Sequence, residues 1–177
     1  YIVSAYDAKL MQGYGDKVFG PDRKITRAQM AVVLWNSEGQ QKPSKVSAFT
    51  DLKADWYKDA VAWAAEKGYV KGVGHNKFNP DGTLTREQLA QILMNKSGQK
   101  SGMETMFTSI YDSQYKDSGS ISSWAKPALY WSLYNGVLCG SDSVDVKDTL
   151  SAKQPASRAQ IAVMLVKYQE KFAVMNK

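Results

Sequence analysis

An all-α fold of three helix-loop-helix repeats is the architecture this sequence predicts. A set of residues recurs at constant spacing, and apolar positions fall at helical rather than alternating intervals. The second helix of every copy opens on Ser or Thr with Gln three residues later.

Gly13, Phe19, Pro21, Asp22, Thr26, Arg27 and Gln29 return as Gly72, Phe78, Pro80, Asp81, Thr85, Arg86 and Gln88, a constant shift of 59 residues. Trp56, Ala60, Trp63, Gly68 and Gly72 return at a shift of 68 as Trp124, Ala128, Trp131, Gly136 and Gly140. Ser157-Arg158-Ala159-Gln160 then follows its counterpart at a shift of 72, so about four extra residues fall between Gly140 and Pro155, where Phe-x-Pro-Asp is missing. The copies occupy residues 1–40, 41–99 and 100–177, joined by polar, Gly- and Lys-containing connections at Gly39–Ser47 and Ser97–Gly102. Two-helix units cannot bury their apolar faces alone, so the three are expected to form one compact domain.

In the second copy, Trp56, Ala60, Val61, Ala64 and Ala65 share a helical face that ends at Gly68. A Gly-rich loop with Phe78-Asn79-Pro80-Asp81 follows, and Thr85 starts a second helix with Leu89, Ile92 and Leu93 as its stripe. The first copy begins at Tyr1, the counterpart of Ala60, and lacks equivalents of Phe49-Thr50-Asp51 and Trp56, which suggests a piece of a longer protein.

Composition narrows the function. With 44% hydrophobic and 23% charged residues, the 177-residue chain is of ordinary globular type. No run reaches the roughly 18 apolar residues of a membrane span, and Tyr1 to Gln12 lacks the regions of a signal peptide. Cys139 is the one cysteine, which excludes an internal disulfide and paired-cysteine metal sites. His75 is the one histidine and has no Ser or Cys partner pattern, so no catalytic residues, metal or cofactor are expected. The net charge of +6 favours an anionic partner, but the lysines are scattered singly, which argues against nucleic acid.

Ile25-Thr26-Arg27-Ala28-Gln29-Met30, Leu84-Thr85-Arg86-Glu87-Gln88-Leu89 and Ala156-Ser157-Arg158-Ala159-Gln160-Ile161 carry the chemistry. Thr26, Thr85 and Ser157 are N-caps, with Gln29, Gln88 and Gln160 closing capping boxes between flanking apolar staples. Capping does not account for Arg27, Arg86 and Arg158, cations at the first helical position, where the dipole disfavours them by about 0.3–1 kcal/mol. An arginine there, beside unpaired backbone N–H groups, suits a planar carboxylate; the alternative is an arginine that covers apolar surface or pairs with a nearby Asp. Trp56 and Trp124 are expected in the core, with a wall for a sugar ring as the alternative. Asp51 and Asp117 are expected as helix caps or ion-pair partners rather than a glycosidase pair, and Asp142, Asp145 and Asp148 as a solvated turn rather than a calcium loop.

Phe49-Thr50-Asp51, Trp56, Ala60-Val61, Gly68, Gly72, Phe78-Asn79-Pro80-Asp81 and Leu84-Thr85-Arg86-Glu87-Gln88 resemble, in order, the S-layer homology domain. That resemblance implies a pseudo-threefold arrangement of three repeats around a central helical bundle, with grooves between adjacent repeats lined by the arginine-bearing helix starts. It implies a monomeric, non-catalytic module on the bacterial cell surface, anchoring a secreted protein to an anionic secondary cell wall polysaccharide with a pyruvate-ketal sugar. Arg27, Arg86 and Arg158 would then meet the ketal carboxylate, Thr26, Thr85 and Ser157 would shape the pocket with the Gln residues nearby, and Trp56 and Trp124 would contact the sugar. The motif's usual Glu is Gln in all three copies, which leaves the arginine freer for ligand. The loop after Gly140 is expected to reshape or close its groove. The competing functions are self-assembly of a surface layer and hydrolysis of wall glycan.

Overall fold

A computed structural model describes residues 1–15, 18–99, 104–138 and 148–172. Cys139, Gly140, Asp142 and Asp145 lie outside them. The described residues form seven α-helices and one 3-10 turn with isolated β-bridges and no sheet, as the helical periodicity predicts. The helices are α1 (Ile2–Asp7), α2 (Arg27–Ser37), α3 (Asp55–Glu66), α4 (Arg86–Ser97), α5 (Glu104–Gln114), α6 (Lys126–Tyr134) and α7 (Arg158–Phe172).

The chain divides into two compact units, Tyr1–Leu84 with Ala156–Val166, and Thr85–Pro155 with Lys167–Lys177. In the first, α2 packs on α3, burying Met30 and Leu34 of one and Ala60, Val61, Trp63 and Ala64 of the other. Tyr57 rather than Trp56 joins this buried face, while Ala60, Val61 and Ala64 stand on it as expected. The Tyr57 hydroxyl turns back to accept the N–H groups of Lys53 and Ala54, the two residues ahead of the helix, at 3.0 and 3.3 Å. Gly68 then ends the helix region at φ 74, a conformation cheap only for glycine.

In the second unit α4 packs on α6, with Leu89 and Leu93 buried on α4 and Leu129 and Tyr130 on α6. Trp131 stacks on Phe172 with ring centroids 5.5 Å apart. Helix α5 is an addition that the repeat alignment does not predict. It packs on α6 through the Tyr111 and Tyr130 rings, 5.2 Å apart, and through Asp112, which accepts from the Lys126 ammonium at 2.9 Å and from the Tyr130 hydroxyl. Burial first, and the Asp112 carboxylate second, push the Tyr130 pKa upward.

The loops ahead of the second helices share one backbone path. Phe19, Phe78 and Leu150 occupy matching places, and the residue after each is left-handed: Gly20 at φ 64, Asn79 at φ 58 and Ser151 at φ 49. The third loop therefore keeps the conformation although its Phe-x-Pro-Asp pattern is gone, and Leu150, fully buried like Phe78, fills the aromatic's place. Gly72 shows why a glycine recurs upstream, because a Cβ there would come within 2.6 Å of the Phe49 ring and 2.7 Å of the Lys77 carbonyl.

A left-handed L-residue costs about 1–2 kcal/mol that glycine avoids. Ser151→Gly is therefore expected to raise the chemical-denaturation midpoint, by up to about 1 kcal/mol of stability. A lowered midpoint would mean that the Ser151 side chain makes a contact outweighing that strain.

Candidate functional site

Each repeat's second helix begins with the predicted capping box. The Thr26, Thr85 and Ser157 hydroxyls accept from the Gln29, Gln88 and Gln160 amides at 3.2–3.3 Å, and each Gln side chain accepts in return from the cap residue's N–H at 3.0–3.1 Å. The first two helical amides are bound as well, and here the structure corrects the expectation of free N–H groups. Arg27 and Ala28 donate to the Gly82 and Pro80 carbonyls at 2.8 and 3.0 Å, Arg86 and Glu87 to Gln154 and Ala152 at 3.1 and 2.9 Å, and Arg158 and Ala159 to Arg23 and Pro21 at 2.9 and 3.0 Å. The acceptors are loop carbonyls from another repeat, which satisfy the donors a helix start leaves open.

The arginine side chains complete the same junction. Arg27 Nε donates to the Phe78 carbonyl at 2.7 Å, Arg86 Nε to Leu150 at 2.9 Å and Arg158 Nε to Phe19 at 2.9 Å. Arg27 Nη2 reaches the Lys71 carbonyl at 2.6 Å, and Arg158 Nη2 reaches its counterpart, that of Gln12, at 2.5 Å. The Arg27 guanidinium lies over the Phe78 ring, and that of Arg158 over Phe19 and Tyr14, at 4.5–4.6 Å from the centroids. Arg86 and Arg158 are buried at 3% and 5% exposure, whereas Arg27 is half-buried. Burial lowers the Arg27 pKa, with the nearby Asp51 charge opposing that shift. The arginines thus do packing work at the junction, with loop carbonyls accepting from Nε of Arg27, Arg86 and Arg158.

Asp51 and Asp117, expected as helix caps or ion-pair partners, instead bind loop amides with their carboxylates. The Asp51 carboxylate accepts the N–H groups of Phe78 and Asn79 at 2.9 and 2.8 Å, and Asp117 accepts those of Leu150 and Ser151, both at 2.8 Å. The bends at Asn79 and Ser151 are thereby held from the amide side by a carboxylate and from the carbonyl side by an arginine. Burial works against charge on Asp51, but the two backbone bonds and nearby Lys77 outweigh it and hold the carboxyl below its ordinary range. A sequence signal for this role exists: Asp51 and Asp117 each stand a few residues ahead of the tryptophan of their copy.

Trp56 and Trp124 overturn the core expectation: they are 57% and 52% exposed. Trp56 meets Tyr57 edge-on at 4.9 Å, which fixes one side of the indole and leaves much of it in solvent. His75 sits exposed in a turn at φ 48, and Asp148 is exposed and paired with Lys116 at 3.0 Å, consistent with a solvated turn at that residue. Among the described residues no cluster has the donors for a metal ion, and no helix is long and apolar enough to cross a membrane.

Asp51→Asn is expected to cost about 1.5–3 kcal/mol at neutral pH, the range for hydrogen bonds to a charged group. Because the folded pKa is depressed, that contribution is complete above the unfolded carboxyl pKa of about 3.9 and is lost as pH falls through the lower folded value. Urea unfolding of the two proteins should therefore converge in acid. A gap independent of pH would show that the carboxylate charge is not what holds the loop.

Comparison with known proteins adds a family to this geometry. The family profile described as S-layer homology domain matches residues 1–31 and 48–90. The chain is 32% identical over 164 residues to a surface-layer 125 kDa protein of Lysinibacillus sphaericus, covering 92% of this chain and 13% of that protein. It is 26% identical over 163 residues to exoglucanase XynX of Acetivibrio thermocellus, covering 92% of this chain and 14% of the enzyme. A cellulosome-anchoring protein of Acetivibrio thermocellus matches at 28% over 149 residues, 78% of this chain and 30% of that protein. The matched stretches, the thrice-repeated helix start and the loop bends it holds lead to one assignment: the chain belongs to the S-layer homology domain family.

Proposed function

We propose that this chain is a non-catalytic anchor that holds its parent protein to the bacterial cell wall by binding an anionic secondary cell wall polysaccharide, with a pyruvate-ketal sugar as the recognised unit. Its place of action is the bacterial cell surface. The observation that carries the binding role is the exposure of Trp56 and Trp124 at equivalent repeat positions. Leaving roughly 100 Å² of an indole in water forgoes about 2.5 kcal/mol of burial, a loss that fold maintenance alone would not select twice. An indole offers the flat apolar face on which a pyranose ring stacks.

The arginines divide the remaining work. Half-buried Arg27, with Nε and Nη2 already on loop carbonyls, offers its remaining N–H edge to the ketal carboxylate. Arg86 and Arg158, more deeply buried, fix the loops that frame the pocket and add positive potential. Thr26, Thr85 and Ser157 with Gln29, Gln88 and Gln160 hold the helix starts in place. A pseudo-threefold arrangement of the repeats belongs to this reading, and a closed ring of backbone bonds supports it: Leu84 N–H to Ile25, Ile25 to Ala156 and Ala156 to Leu84, at 3.2, 3.5 and 2.8 Å.

Glycan hydrolysis is the weaker reading. Asp51 and Asp117 are committed to loop amides, and a surface-layer protein and an exoglucanase share this stretch while it spans only 13% and 14% of them. Anchoring is a role that both could share.

Sedimentation with purified cell-wall sacculi tests the proposal. The chain should bind intact sacculi and lose binding when the secondary polymer is stripped. Trp56→Ala with Trp124→Ala should weaken binding at least about tenfold while shifting stability by no more than about 0.5 kcal/mol, because both indoles are surface groups. Equal binding to stripped sacculi contradicts the proposal.

A further inference from the structure

In the first unit, the linker ahead of α3 encloses a groove of about 560 Å³ against that helix. Its wall carries Lys42, Lys45 and Lys58 against one carboxylate, Asp59, beside apolar surface from Phe49 and Ala62. The linker is tied down along its length. Trp35 Nε1 donates to the Gln41 carbonyl at 2.7 Å, the Ser44 amide and hydroxyl donate to Glu66 at 2.8 and 2.7 Å, and the Thr50 amide donates to Asn76 at 2.9 Å. The groove is therefore preformed, and its volume suits a small ligand. It is lined by none of the arginines or tryptophans considered above.

The third repeat indicates what belongs there. At the shift of 68 that relates α3 to α6, Lys126 is the counterpart of Lys58 and Tyr130 that of Ala62. In the second unit this face is covered by α5, which sets the Asp112 carboxylate on the Lys126 ammonium at 2.9 Å and the Tyr111 ring on Tyr130. The same helix face in the first unit has the lysine without the covering helix. Lys58 instead holds Asp55 at 2.8 Å, a neighbour on its own helix whose side chain is 96% exposed and which an incoming carboxylate can replace. The smaller Ala62 leaves open the space that Tyr130 fills.

We infer that this groove is a second binding site, for a carboxylate-bearing saccharide unit, with the carboxylate on Lys58, the positive wall completed by Lys42 and Lys45, and the ring against Phe49. The choice of a saccharide rests on the cell-wall reading above; the carboxylate rests on the repeat comparison alone. A groove of this volume holds one or two sugar rings, whereas a second α5-like helix is about 10 Å across and would have to displace the linker.

The test is an amide-resolved NMR titration of the chain with trigalacturonate at millimolar concentration, with its neutral methyl ester and an acidic peptide of the α5 sequence as controls. Saturable shifts are expected at Lys42, Lys45, Lys58 and Ala62 with the acid and not with the ester. Lys45→Ala with Lys58→Ala should weaken binding about tenfold or more. Ala62→Tyr should abolish it by filling the groove, and the lysine variant decides the matter if that one unfolds. No saturable shift at these residues, equal shifts with the ester, or binding of the peptide alone overturns the inference. Shifts confined to Arg27 and Trp56 would overturn it while supporting the wall-binding site, and groove binding without sacculus binding would do the reverse.

Discussion

The carbonyls of Phe19, Phe78 and Leu150 each receive an arginine Nε from the start of another repeat's second helix, and the rest of the arrangement depends on that bond. A two-helix repeat has two unmet needs, open amides at a helix start and a left-handed loop bend that does not hold itself. Here one junction meets both. The loop supplies carbonyls to the amides of its neighbour's helix, and that helix returns a guanidinium to the loop. Where the preceding segment is present, Asp51 or Asp117 closes the bend from its other side.

This coupling explains why a cation stands where the helix dipole disfavours one. The dipole cost of about 0.3–1 kcal/mol is smaller than the penalty of leaving buried loop carbonyls without donors, about 1–3 kcal/mol each. It also explains how the third loop dispenses with Phe-x-Pro-Asp. The junction is made by backbone groups, so a buried Leu150 and the amides of Leu150 and Ser151 suffice. With the loops fixed by arginine and aspartate, Trp56 and Trp124 are not required in the core and stand in solvent.

Much of this was legible in the sequence. The all-α class, the capping boxes and the stripe of Leu89, Ile92 and Leu93 follow from spacing, because local periodicity and local hydrogen bonding determine them. The partners of Arg27, Arg86 and Arg158 were not legible. They are backbone carbonyls 51 to 139 residues away, and a carbonyl leaves no mark in residue type. The exposure of Trp56 does not follow from spacing, which places it on the same face as Ala60 and Ala64, while Tyr57 is the ring that turns inward with its hydroxyl on the Lys53 and Ala54 amides. Helix α5 leaves no repeat signal because it has no counterpart in the second copy, where that stretch is a linker.

Hydrogen exchange at the helix starts tests the central junction most directly. The amides of Arg27, Ala28, Arg86, Glu87, Arg158 and Ala159 occupy positions that in an isolated helix exchange freely, since no intrahelical acceptor exists for them. Protection of all six, lost at Arg86 and Glu87 when Arg86→Ala releases the Leu150 loop, is the predicted result. Rapid exchange at these amides in the intact chain would contradict the interlock and return the helix starts to the role of open anion sites.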